Sequence, residues 1–185
     1  MTATIAPPTL NFGFLTVLRE AGGYLGGYLV TNQWGRPLEF RLSTAIQPNR
    51  VQQILYARTL EPYLCADLIG KTLLDKTTMP VQLLLTDTLA ALDLRLRVDV
   101  PVLWLAPCES APTPAGEDQP STGTSLVGPA PSNRGMIHCH ARFSGDAATI
   151  REVLERLTGA MDLAEPFARI REAIGEARKL GVTGR

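Results

Sequence analysis

Over 185 residues the chain balances 18 basic against 18 acidic side chains, with 45% hydrophobic and 19% charged residues, the composition of a folded globular protein without bulk attraction for polyanions. No apolar run reaches the ~20 residues of a membrane span, and the start MTATIAPPTLNF lacks the basic-then-apolar plan of a signal peptide. Cys65, Cys108 and Cys139 are odd in number and without C-x-x-C spacing, which points to free thiols in a reducing cytoplasm.

In chain order, Pro7-Pro8 mark an unpaired lead-in. Phe12, Phe14, Thr16 and Leu18 then alternate with Gly13, Leu15 and Val17, giving a first strand with apolar groups on both faces. The stretch 22–44 reads as a β-hairpin. Tyr24, Tyr28 and Val30 fall on one face and Leu25, Leu29 and Thr31 on the other, while Leu38, Phe40 and Leu42 alternate with Glu39, Arg41 and Ser43 on the return. Three successive strands form an antiparallel β-meander. Gly26 leaves a gap between the phenols of Tyr24 and Tyr28, which a bulge or a helix packed down on the strand explains more simply than a ligand groove. At the tip, Trp34 and Arg36 are residue types that anchor interfaces.

From Gln47 the period becomes helical. Val51, Ile54 and Leu55 share a face, and a second helix capped by Thr59 carries the stripe Leu64, Cys65, Leu68, Ile69, Thr72 and Leu73. The run 80–86, a short helix bearing Leu89, Leu92 and Leu96, and the run 100–105 form a compact βαβ unit with parallel strands. Asp87 or Thr88 can cap the short helix; Asp87 stands where a parallel strand ends, the edge that ligands favour, and is read as a cap in preference to a ligand group. The expectation is an α+β (mixed α/β) fold: an antiparallel meander, helices and a short βαβ unit on one mixed sheet.

Residues 1–105 are assigned to the main domain. Residues 106–133 are so rich in Pro, Ser, Thr and Gly that they read as a flexible linker or insertion. Residues 134–185 add one strand and two amphipathic helices that complete the main domain. Asp146 caps the first of these helices and Gly159 ends it; Asp162 and Glu165 make a capping box for the second. The last helix carries Phe167, Ile170 and Ile174 on one side, a side offered to a partner.

Concentrated chemistry is confined to Ile137-His138-Cys139-His140, where His138 and His140 share a strand face. Such an H-x-H pair supplies two imidazoles to zinc, with Asp146 near in sequence, but no third or fourth ligand is named by spacing. Walker A, G-x-G-x-x-G, H-E-x-x-H and G-x-S-x-G patterns are all missing. The expected function is therefore a non-enzymatic protein-interaction or scaffold subunit of a larger assembly, cytoplasmic and oligomeric, without a cofactor. Its contacts would come from Tyr24, Tyr28, Trp34, Arg36, Phe167, Ile170 and Ile174. A zinc-dependent hydrolase using His138 and His140 is the alternative. Membrane is not an expected partner. Nucleic acid is not one either, since it would need Arg41, Arg50, Arg58 and Arg142 on one surface.

Overall fold

The computed structural model describes residues 10–21, 23–107, 122–131, 135–157 and 161–181. The lead-in with Pro7-Pro8, Gly22, Cys108, Gly159 and the tail after Gly181 lie outside them. The strands are β1 (Asn11–Glu20), β2 (Gly23–Asn32), β3 (Pro37–Leu42), β4 (Leu83–Thr86), β5 (Val102–Ala106), β6 (Thr124–Pro129) and β7 (Met136–His140). The helices are α1 (Arg50–Tyr56), the continuous run α2 (57–75), α3 (Asp146–Glu155) and α4 (Glu165–Lys179); 3₁₀ segments occupy Leu89–Leu96 and Ala141–Phe143.

All seven strands form one sheet in the order β3-β2-β1-β4-β5-β7-β6. The meander β1–β2–β3 is antiparallel, β4 and β5 run parallel to β1, and β7 and β6 turn antiparallel again. This is the α+β fold with a mixed sheet that the changes of period announce. β1 sits between an antiparallel and a parallel neighbour, which suits a strand apolar on both faces. β4 is Leu83, Leu84 and Leu85, each fully buried, as a strand covered on both sides must be.

Each face has its own core. On one, Phe12, Phe14, Leu25, Leu29, Leu85 and Ile137 meet Ile150 and Leu154 of α3 and Phe167, Ile170 and Ile174 of α4. On the other, Leu15, Tyr24, Tyr28, Val30 and Leu84 meet Leu64, Cys65, Ile69 and Leu73 of α2 and Leu92 and Leu94 of the 3₁₀ segment. Alternation along β2 divides its side chains between the two cores as the hairpin pattern predicts. Cys65 and Cys139 are free and buried, one in each core. Burial pushes the Cys65 thiol up to about 12.

Four expectations are corrected. Thr124–Pro129, inside the stretch read as a tether, is strand β6, because Val127 and Ala130 bury against the α3 side and the backbone pairs with β7. Phe167, Ile170 and Ile174 are buried to within 2% in this chain's own core, so the side offered to a partner is taken. Gly145, not Asp146, occupies the cap of α3; the Asp146 carboxylate instead receives the Arg95 guanidinium at 2.6 and 3.3 Å. Asp162 bonds the Ala164 N–H at 3.0 Å rather than closing a box with Glu165, since α4 is capped at Ala164.

Candidate functional site at the carboxyl edge of the sheet

β1 and β4 are adjacent and parallel, so both end on one edge, the edge where ligands sit in open sheets of this kind. Their register sets Leu15 beside Thr86, which brings the next residues, Thr16 and Asp87, together. The Thr16 hydroxyl donates to Asp87 Oδ2 at 3.3 Å and the Thr88 hydroxyl to Oδ1 at 3.2 Å. From above, Arg171 of α4 lays its guanidinium on the same carboxylate.

Of the two expected caps Thr88 holds the position at the start of the 3₁₀ segment, without a side-chain bond to it, and the reading of Asp87 as a helix cap is corrected. The Asp87 side chain is only 13% exposed, whereas that of Arg171 is 49% exposed. Burial holds the Asp87 carboxyl above its ordinary value despite the opposing pull of Arg171. A carboxylate in that state, at a strand terminus, is a candidate functional group. Seven residues further along α4, Arg178 pairs with Glu20 at the end of β1. Two arginines thus lie along this edge roughly 10 Å apart, two helical turns, each steadied by an acid from the sheet.

The residues singled out in the sequence are scattered. Tyr24 and Tyr28 are buried, and the gap at Gly26 is filled by Ile69 of α2, so no ligand groove opens between the phenols. Trp34 is 64% exposed and Arg36 is exposed, on a tip whose turn is closed by Asn32 Oδ1 accepting from both their backbone N–H groups. That tip lies beside Asn11, at the opposite end of β1 from Asp87. There Trp34, Met161, Glu165 and Arg169 border a shallow recess of about 330 Å³.

His138 and His140 do share a face, but they differ in their partners: the buried His138 Nδ1 has no hydrogen-bond partner among the described residues, while both ring nitrogens of His140 have a neighbour. The His138 ring leans on Trp104 with centroids 5.2 Å apart, and burial lowers its pKa. His140 Nδ1 accepts from the Arg142 N–H at 3.2 Å, and Nε2 lies 3.3 Å from Asp93. Asp146 is held by Arg95. Among the described residues no three His, Cys, Asp or Glu side chains group to hold a metal ion, so the H-x-H pair gains no third ligand there. Arg41 lies on β3 and Arg142 in the 3₁₀ segment that follows β7, with four strands between β3 and β7, and Arg41 is paired with Glu39.

Sequence reasoning missed Thr16, Thr88 and Arg171. The one available signal was the place of Asp87 at the end of a parallel strand; Arg171 is 84 residues away in sequence and reaches it only through the fold.

No family model and no curated protein matches the chain. Among solved structures it is similar to endonuclease V of Ciona intestinalis in complex with a DNA containing an inosine followed by a ribo-adenosine, with 10% identity, a TM-score of 0.42, and 77% of this chain and 76% of that one covered. At that identity and score the likeness lends no residue of this chain a role. The expectation of a non-enzymatic, oligomeric protein-interaction or scaffold subunit for which nucleic acid is not a partner is corrected: the apolar side of α4 on which it rested is buried in this chain's own core.

Proposed function

We propose that the carboxyl edge of β1 and β4 is the functional site and that it receives a phosphate-bearing polymer, a nucleic-acid strand, with Arg171 and Arg178 as its phosphate contacts. The observation that carries this reading is the convergence of Thr16, Asp87, Thr88 and Arg171, from three separate segments, on one strand terminus. The Arg171 bond to Asp87 uses one terminal nitrogen, and a guanidinium has five N–H donors, so an exposed fork remains for a second anion. Asp87 then acts as a positioning residue that fixes the direction of the fork. The two arginines, one on each of two helical turns, suit an extended anion better than a compact one. One carboxylate with Arg171 lying on it supports binding and orientation of a strand rather than its cleavage. The buried free thiols Cys65 and Cys139 support a cytoplasmic setting.

The test is fluorescence anisotropy with labelled single-stranded and duplex DNA and RNA across a salt series. Binding at low salt is expected, with affinity falling as salt rises. The double variant Arg171→Ala, Arg178→Ala should bind about tenfold or more weakly and show a shallower salt slope. Equal binding by that variant, or no binding to any of the four probes, overturns the proposal.

A further inference from the structure

α1 is a helix that the core does not use. None of its residues is buried, and Val51, Ile54 and Leu55 are 62%, 65% and 75% exposed on one face. Its start is well made: Asn49 and Gln52 exchange side-chain to backbone bonds at 2.8 and 3.0 Å in a capping box. Its end is not. Ala57 takes φ 45°, a left-handed value that costs a residue with a Cβ of order 1 kcal/mol or more, and this bend parts α1 from α2. A well-capped helix, set off by a strained joint and showing its aliphatic residues to solvent, is built to lie against something.

Charge says what. Between Glu39 and Glu61 the chain has no acidic residue, and Arg50 and Arg58 bracket the three aliphatic residues in sequence. Both arginines are exposed, and neither forms an ion pair among the described residues. An aliphatic face between unpaired cations matches a surface that is anionic outside and hydrocarbon inside. Nucleic acid would satisfy the arginines but offers nothing to three aliphatic side chains, which cannot stack on bases. A helix-binding groove reads anchors at i, i+3, i+4 and i+7; the last of these positions is Arg58, beyond the end of α1 at Tyr56.

We infer that α1 is a membrane-surface contact that seats Val51, Ile54 and Leu55 among the acyl chains of an anionic bilayer, with Arg50 and Arg58 at the headgroups. This contact is independent of the carboxyl-edge site.

The experiment is flotation of the full chain with vesicles of phosphatidylcholine alone and with about one third phosphatidylserine. Two variants accompany it: Val51→Gln, Ile54→Gln, Leu55→Gln, and Arg50→Gln, Arg58→Gln. All five positions are exposed, so both variants should keep the melting temperature of the parent. Expected are flotation with the anionic vesicles, salt-sensitive, and a loss of about tenfold or more in each variant. Flotation unchanged in the aliphatic variant overturns the inference, as does the absence of flotation at low salt. A dimer in light scattering that the aliphatic variant disperses overturns it too, assigning the face to a second copy. Loss of nucleic-acid binding in the aliphatic variant would place the face on that ligand instead.

Discussion

At the scale of single residues, Asp87 is the informative group. Most buried acids are stabilised in their charged form by their surroundings, but here burial outweighs Arg171 and the two threonine hydroxyls. Because the folded carboxyl holds its proton more tightly than the unfolded one, the stability due to this group is full below the ordinary aspartate range. It is lost as pH rises through the folded value. Asp87→Asn should therefore unfold within about 1 kcal/mol of the parent at neutral pH, on the more stable side, and the gap should close on acidification. Urea titrations at several pH values measure this. A loss above about 2 kcal/mol at neutral pH would mean that Asp87 and Arg171 are a structural latch, and the carboxyl edge would lose its functional reading. Little of this was legible beforehand, because a carboxylate after a strand and before a helical turn looks like a cap. What distinguishes the two roles is a guanidinium delivered by a helix from the far end of the chain.

At the scale of elements, the glycines of β2 show which information is local and which is not. Alternation along Tyr24–Thr31 fixes two faces, and the two cores honour it. The reason for Gly26 and Gly27 is not conformational, since neither takes a positive φ. It is space: a Cβ on Gly26 would run into Ile69 of α2, and one on Gly27 would come to 2.5 Å of Ile170 Cγ2 of α4. The two glycines let a helix settle on each face of the same strand. A pattern within β2 shows that something approaches, yet the approaching residues lie about forty and a hundred and forty positions downstream. We expect Gly27→Ala to cost about 1–3 kcal/mol through overpacking. Ile170→Ala, which removes that Cγ2, should recover part of the loss in the double variant beyond additivity. Denaturant unfolding of the four proteins decides it; strictly additive losses would mean that the strand and α4 do not share this contact.

At the scale of the whole molecule, the amphipathic pattern of α4 is plain in the sequence, while the surface it covers is not. An apolar stripe of Phe167, Ile170 and Ile174 looks the same whether its partner is the chain's own sheet or another protein. Topology decides. β1 and β2 are both internal strands of the sheet, and without α4 the face carrying Phe12, Phe14, Leu25 and Leu29 would be open to water there. The Phe167 ring meets the Phe14 ring edge-on at 5.4 Å, and the helix is tied down at both ends, by Arg169 to the Gly35 carbonyl at 3.0 Å and by Arg178 to Glu20. Three side chains of this size, each contributing ~1.5–3 kcal/mol on burial, supply roughly 5–9 kcal/mol. A domain's entire margin is about 5–15 kcal/mol, and the strand surface they leave behind would be exposed as well. Deleting residues 162–185 should therefore abolish cooperative unfolding rather than leave a folded core with an altered assembly state. Circular dichroism and urea titration of the truncated chain are the measurement. A sigmoidal transition with the parent's slope on denaturant would show that the remaining six-sevenths of the chain folds without its last helix, and that α4 is an appendage after all.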